Sequence, residues 1–286
     1  MFIEQNAKLK ILRNLVFTDR CNLRTINKYF NYIFKKYKHE KTVYSDYDKN
    51  INYSEYKNIN FALNNFNKSS INISNNVHMF NLEYIHINNS NIKKLPLSTY
   101  NVNELYLNNL PNILELPSEI CNIHTLTLDN LSNIKKLPSE LSNIHNLSLH
   151  NLPNITELSS ELGNVHTLSL YDLPNLKELP SQLGNVHTLF LGNLPNLKEL
   201  PSELGNVHNL NLEILSNIKE LPSELCNVHS LSLHDLPNIE ELPSELGNVH
   251  TLTLLNLQKI KELPLELGNV HTLFLHKLQL IEELPS

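Results

Sequence analysis

A histidine recurs at one position of a repeated sequence, and its imidazole is the first candidate for chemistry. Eight histidines follow one another at a constant interval: His124, His145, His166, His187, His208, His229, His250 and His271. Imidazole is a common metal ligand and titrates near neutral pH. If the repeats stack like adjacent strands, about 4.8 Å apart, each imidazole has only two neighbours. A closed zinc site needs about four ligands around one point. The spacing therefore predicts a polar ladder at the strand edge and no metal site, with a pH-sensitive surface as the alternative.

Residue types used in catalysis are present, but they do not form one unique group. Ser160, His166 and Asp172 have the residue types of a nucleophilic triad. Near-copies of these types recur in other repeats, whereas a triad requires one nucleophile, one base and one group that orients the base. The sequence contains neither a Gly-rich phosphate loop nor an HExxH motif. We therefore predict that the protein is not an enzyme and that it needs no cofactor.

The apolar pattern within one repeat predicts the elements that position these side chains. Leu168 and Leu170 are two residues apart, the period of a strand with one buried face. From Leu173 to Leu179 the leucines are three apart, which predicts a tight turn or a short 3₁₀ segment. Pro180 fixes φ, and Gly184 is expected to allow a turn. Each repeat is thus a short strand followed by a loose return.

Stacking is needed to bury these leucines, because so short a unit cannot bury them alone. All 14 prolines lie in the repeats, in an LP column and a PN column. A proline in a central strand would remove a ladder hydrogen bond, so both columns must lie outside the sheet. The residues VHTLSL and their equivalents are therefore expected to form one continuous parallel sheet.

The repeat pattern V-x-x-L-x-L-x-x-L-x-x-L-x-x-L-P-x-x-L-x-N resembles the leucine-rich repeat family in a short form. It covers residues 82–286 in about ten repeats, the first of which (84–96) fits if one loop residue is missing. The resemblance implies an α/β solenoid, a horseshoe with a parallel β-sheet on its concave face. The Asn, Ile and Lys content is similar to that of repeat proteins of giant amoebal DNA viruses.

The sequence departs from the family at the usual Asn or Cys slot after the strand, where Leu131, Leu152 and Leu173 stand. A second column could supply a buried amide ladder at the other end of the strand. This column is Asn122, Asn143, Asn164, Asn185, Asn206, Asn227, Asn248 and Asn269.

The positions that vary between repeats indicate where a partner would bind. The core leucines are nearly constant, whereas the outward strand positions and the residues after them differ from copy to copy. Exposed aromatic residues on a rigid surface commonly anchor protein interfaces. The predicted partner-binding residues of the concave face are Tyr106, Asp129, His150, Tyr171, Asp172, Phe190, Glu213, His234, Asp235 and Phe274.

Charge and composition limit the classes of partner. Residues 1–80 hold 13 Lys+Arg and 6 Asp+Glu, whereas residues 81–286 hold 10 and 23. Because contacts to phosphates need Lys and Arg, the acidic repeats argue against nucleic acid. No run of 18 or more apolar residues could span a membrane, and the first residues lack the apolar core of a signal peptide. We expect an intracellular, cytoplasmic protein, in a host cell if it is viral.

The N-terminal segment admits two interpretations. Residues 3–17 and 22–38 have the periodicity of amphipathic helices, and residues 41–81 are expected to be a polar connector or degenerate first coils. Residues 1–40 could form a helical cap for the first coil. The stretch LRNLVFTDRCNLRTINKYFNYIF also resembles the second half of an F-box, although the LP-x-E-I opening of that motif is absent. That resemblance implies that residues 1–40 bind a Skp-family subunit.

Two functional hypotheses follow from these patterns. The first is a protein-interaction scaffold that binds a partner protein through the concave sheet. The alternative is an F-box-type substrate adaptor of a cullin ubiquitin ligase. We also expect weak self-association through the C-terminal end, because an open sheet edge with exposed leucines favours association.

Overall fold

A computed structural model describes residues 42–44, 58–62, 84–88, 92–95 and 102–282. The helical segment expected at residues 1–40 lies outside these residues, as do most of residues 41–81 and residues 283–286. No described helix is long and apolar enough to cross a membrane.

The described strands form one parallel sheet, in which each strand pairs with the next along the chain. They are β1 (Thr42–Tyr44), β2 (Asn58–Ala62), β3 (Tyr84–Asn88), β4 (Glu104–Asn108), β5 (Thr125–Asp129), β6 (Asn146–His150), β7 (Thr167–Tyr171), β8 (Thr188–Gly192), β9 (Asn209–Glu213), β10 (Ser230–His234), β11 (Thr251–Leu255) and β12 (Thr272–His276). From β4 onward the paired residues keep one constant offset, as in Leu168 and Leu189. Tyr84 pairs with Glu104, which confirms a first repeat that is one residue short.

The leucine core lies on one side of this sheet, as the repeat pattern predicts. In β7 the residues alternate between half-buried and buried, and Leu168 and Leu170 are fully buried. Leu173, Leu176 and Leu183 complete the core of the same coil and are also fully buried. Since each coil repeats this set, one hydrophobic core runs the length of the described repeats. In β12, by contrast, Leu273 and Leu275 are only partly buried. The self-association expected at this end stays a prediction.

The return path of each coil contains a turn and then a 3₁₀ segment. The Leu176 N–H donates to the Leu173 carbonyl at 3.2 Å, which confirms a tight turn at the first of the spaced leucines. The 3₁₀ segment comes later than expected, after Pro180, which caps it in an extended conformation. The 3₁₀ segments are Ser118–Asn122, Ser139–Asn143, Ser160–Asn164, Ser181–Asn185, Ser202–Asn206, Ser223–Asn227, Ser244–Asn248 and Leu265–Asn269. The described prolines of both columns lie outside the sheet, as predicted.

Glycine recurs in this column for a different reason from the one expected. No described glycine has a positive φ, so Gly184 does not serve to form a turn. A Cβ atom on Gly184 would instead overlap the backbone carbonyl of Glu203 in the next coil. Gly163, Gly205 and Gly247 make the same contact with the coils that follow them. The glycines therefore allow successive 3₁₀ segments to approach closely.

The left-handed position of each coil falls on the residue after the strand. These residues have φ between 47° and 54°, and they are Asn109, Asn130, Asn151, Asp172, Asn193, Ile214, Asp235, Asn256 and Lys277. Asn and Asp tolerate this region best among residues with a Cβ. Ile214 is β-branched and is therefore strained there.

The amide ladder lies in another column from the one predicted. The predicted column, Asn122 to Asn269, is exposed, so the expectation of a buried ladder there is wrong. The asparagines of the PN or SN corner bind the preceding coil instead, although all of those named below except Asn238 are exposed too. Asn133, Asn154, Asn175, Asn196, Asn217 and Asn238 donate to the carbonyl oxygens of Pro111, Ser132, Pro153, Pro174, Pro195 and Ser216.

Candidate functional site

The face of the sheet opposite the leucine core presents the positions that vary between coils. We call this surface the sheet face and define it as the first, third and fifth residues of β4–β12. Most of these side chains are half-buried, and two large apolar ones are well exposed, Phe190 at 43% and Phe274 at 57%. The rigid strands beneath fix the spacing of these side chains at about 4.8 Å from coil to coil.

Tyr171 and Gly192 form the centre of the sheet face. They are paired residues at the ends of β7 and β8. The Cδ2 and Cε2 atoms of Tyr171 occupy the space that a Cβ atom on Gly192 would need, so this edge of the tyrosine ring lies against the glycine. Gly192 is buried as a result. The absence of a side chain at residue 192 thus lets the ring lie against the sheet.

His150 contacts this tyrosine, and Phe190 lies diagonally from it on the next strand. The rings of His150 and Tyr171 meet edge to face, with centroids 6.1 Å apart. The His150 Nε2 atom lies within hydrogen-bond distance of the Ser169 hydroxyl, at 3.2 Å. Phe190 follows on β8, where it pairs with Ser169. The structure therefore brings three of the predicted residues, His150, Tyr171 and Phe190, together on adjacent strands.

Nearby carboxylates disfavour ionisation of the central tyrosine, Tyr171. The pKa of Tyr171 is raised above 10.0, first by desolvation and then by the negative charges of Glu213 and Asp172, which disfavour the phenolate. Asp172 occupies the left-handed position and accepts a hydrogen bond from the Asn193 side chain. Tyr171 is therefore a neutral hydrogen-bonding phenol in a negative field at neutral pH.

A second group of predicted residues lies two strands further along the sheet. The Nδ1 atom of His234 is 3.4 Å from Glu213 Oε1, and its Nε2 atom is 2.9 Å from Asp235 Oδ2. Each ring nitrogen of His234 therefore faces one carboxylate. All three side chains are about one-third exposed. Glu213 belongs to both groups, because its negative charge raises the pKa of Tyr171 and its carboxylate also faces His234.

The other predicted residues lie further from this centre. Asp129 pairs in register with His150 and accepts a hydrogen bond from Asn108 Nδ2 at 2.7 Å. Tyr106 packs edge to face against His86, with centroids 6.2 Å apart. Phe274 stands on β12, four strands from Phe190, or about 19 Å away. These residues therefore do not form a single site with Tyr171.

Sequence reasoning missed the roles of Gly192 and Ser169. Gly192 stands apart from the periodic glycine column, and this departure was a signal that the glycine has a local function. Ser169 carries no such signal, because small hydroxyl residues fill the same position in β5, β6, β10 and β11.

The histidine column forms the stacked ladder that its spacing predicts. Successive imidazole centroids are 4.4 to 4.7 Å apart, and all eight side chains are exposed. The pKa values of His145, His208 and His250 are lowered below 6.5, first by desolvation and then by the charges of both neighbouring histidines. Although the ring edges are open to solvent, stacked neighbours cover the ring faces. Among the described side chains, no group of three or more His, Cys, Asp or Glu residues could hold a metal ion.

Solved structures with a similar fold identify the architecture. The leucine-rich repeat domain of the type III effector XopL matches 67% of this chain and 75% of its own, with a TM-score of 0.55 and 18% identity. An internalin, InlF, from Listeria monocytogenes matches 78% and 68%, with a TM-score of 0.53 and 20% identity. The fold is that of a leucine-rich repeat solenoid. Its described connections contain 3₁₀ segments, and its sheet runs through every described coil. No model of a protein family matches the sequence, and no curated protein does either.

Proposed function

We propose that this leucine-rich repeat protein is a non-enzymatic scaffold that binds a partner protein through its sheet face. One observation carries the proposal. The coils keep the same buried leucines, whereas the sheet face differs at each strand and presents an ordered aromatic centre at Tyr171 and Phe190. A solenoid fold alone does not define a function, so the proposal depends on this surface.

The expected energetics favour Tyr171 and Phe190 as the main anchors. Aromatic residues dominate many interfaces because they bury a large apolar area with little loss of side-chain entropy. The ring of Tyr171 is already held against Gly192, so little further ordering is needed on binding. Truncating either anchor of a real interface typically costs about 2 kcal/mol or more of binding free energy.

Affinity purification of the full-length chain from a eukaryotic host tests the proposal. The partner proteins are identified by mass spectrometry and then measured with Tyr171→Ala/Phe190→Ala. The matched control is Lys177→Ala/Lys198→Ala, which changes two exposed residues of the return path in the same two coils. We expect the first variant to lose the partner and the control to retain it. A partner that stays bound to the Tyr171/Phe190 variant places the binding surface elsewhere and refutes the proposal.

The alternative function depends on residues 1–40, which lie outside the described residues. We propose it on the resemblance of this segment to part of an F-box. In that case the same purification yields Skp-family and cullin subunits with the full-length chain, and removal of residues 1–40 abolishes their recovery. Absence of these subunits from the full-length sample contradicts the adaptor hypothesis and favours a helical cap. The cytoplasmic location stays a prediction, which microscopy of a fluorescently tagged chain would check.

A further inference from the structure

The lysines of the described repeats lie outside the sheet face, although the return path is acidic as well. The sheet face contains no Lys or Arg at any of its positions from β4 to β12. Together with the left-handed column it contains five carboxylates: Glu104, Asp129, Asp172, Glu213 and Asp235. The one cation of these columns is Lys277, in the last described coil. The other lysines of residues 102–282 are exposed on the return path: Lys135, Lys136, Lys177, Lys198, Lys219, Lys259 and Lys261.

Because no Lys or Arg lies among them on the sheet face, these carboxylates give that surface a negative field. A surface of one charge steers partners of the opposite charge and repels those of the same charge. Within the described residues, the central carboxylates contact the Asn193 amide and the His234 imidazole, and none of them forms an ion pair with a lysine. Each carboxylate retains further acceptor sites for a ligand.

The aromatic centre adds a second feature that suits a cation. The Cδ2–Cε2 edge of the Tyr171 ring lies against Gly192, so the sheet contacts an edge of this ring and not one of its faces. Phe190 on the adjacent strand is 43% exposed. Cations bind over the faces of aromatic rings within about 6 Å, and Arg does so more often than Lys. Arg also forms two parallel hydrogen bonds with a carboxylate, which a Lys ammonium cannot match.

We propose that the sheet face binds a protein segment that carries arginine. An Arg guanidinium stacks on Tyr171 and Phe190, and its donors bind Asp172 or Glu213 at the sides of the aromatic centre. This inference rests on the proposed function, since it names the chemistry of the partner for the same surface. The inference also predicts binding at the sheet face and not at the return path. The return path is acidic too, but its described glutamates have no Tyr or Phe beside them.

Binding of a synthetic peptide to the full-length protein tests the inference. The probe is a fluorescent Gly/Ser peptide with four Arg residues, and the comparison peptide has Lys at the same positions. We expect the Arg peptide to bind several-fold more tightly than the Lys peptide. In Asp172→Asn/Glu213→Gln, we expect its affinity to fall about tenfold, which is typical for the loss of charge-assisted hydrogen bonds. Asn suits position 172, because Asn occupies the left-handed position in five other coils.

The matched control is Glu178→Gln/Glu199→Gln, which removes the same charge from exposed positions of the return path. Equal losses in both variants would show that only net charge matters, and they would overturn the inference. An Arg peptide that does not bind, or that binds no better than the Lys peptide, overturns it as well. If the cellular partner still requires Tyr171 and Phe190 in either case, the proposed function stands and only the arginine inference fails. If partner binding does not require them, the proposed function fails whatever the peptide does.

Discussion

Gly184 packs against the backbone carbonyl of Glu203 in the next coil, and this contact leaves no room for a Cβ atom. We expect Gly184→Ala to lower the free energy of unfolding by about 1–2 kcal/mol, because the neighbouring 3₁₀ segments must move apart. The cost stays moderate because Ser142 and Cys226 occupy the equivalent position in other coils. Urea denaturation followed by circular dichroism measures the change.

Gly268 provides the control for this substitution. It belongs to the same column, but no atom lies within 4 Å of a Cβ added there. Gly268→Ala should be neutral or stabilising by up to about 1 kcal/mol, because alanine reduces the freedom of the unfolded chain. Equal destabilisation by the two substitutions would contradict the close-approach explanation.

Ile214 has a φ of 53°, in the left-handed region, where a β-branched side chain is strained. We predict that Ile214→Asn raises the free energy of unfolding by about 1 kcal/mol, since Asn is accepted in this region. The reciprocal change, Asn151→Ile, should destabilise the protein by at least as much. It also removes the hydrogen bond from Asn151 Nδ2 to Asn130 Oδ1. Unfolding midpoints of the two variants that move in the same direction would refute this explanation.

Gly192→Ala should displace the Tyr171 ring. On its own it should change the free energy of unfolding by less than about 1 kcal/mol, because the gain from replacing glycine in a strand offsets the displacement of the ring. In a Tyr171→Ala background the overlap is absent, so the same change should stabilise the protein by about 0.5–1 kcal/mol. The double-mutant cycle isolates the coupling between residues 171 and 192. If Gly192→Ala has the same effect in both backgrounds, the ring does not lie on the glycine.

Stability should decrease at mildly acidic pH because of the histidine ladder. The folded-state pKa values of His145, His208 and His250 lie below the ordinary value of 6.5, so the unfolded chain binds more protons there. Their contribution to stability is therefore complete above the ordinary pKa and is lost as the pH falls below it. Urea midpoints should be lower at pH ~5.5 than at pH ~7.5.

The triple variant His145→Asn/His208→Asn/His250→Asn tests the origin of this pH dependence. It removes the three groups and leaves their neighbours without a stacked imidazolium, so its midpoint should change less over the same range. A wild-type midpoint that rises on acidification, or an unchanged slope in the variant, would exclude the ladder as the cause.

The repeating features of this protein could be predicted from the sequence, because each pattern occurs at the same position in many repeats. The strand at Leu168 and Leu170, the exclusion of prolines from the sheet and the spacing of the histidine ladder all follow from one fixed period. A short-range pattern also placed a tight turn at Leu173, but it did not show that the 3₁₀ segment starts after Pro180.

The features that could not be predicted depend on contacts between coils. The sequence shows a column of asparagines, but only the path of the return segment decides which column reaches the preceding carbonyl groups. Likewise, Gly184 is compatible with a turn or with close packing, and the two differ only in φ and in the distance to the next coil. Tyr171 and Phe190 were correctly placed on neighbouring strands, whereas the packing of the ring on Gly192 depends on side-chain conformation.

The constant register between strands means that a whole coil can be gained or lost without disturbing the core. If Thr188–His208 were deleted, β7 would pair with β9, and Leu168 would still meet Leu210. Tyr171, however, would then stand directly beside Glu213, with no glycine between them. Recombination between the nearly identical coils would therefore rearrange the binding surface by one strand at a time while the fold persists. Such a protein can acquire new partners through duplication as readily as through substitution.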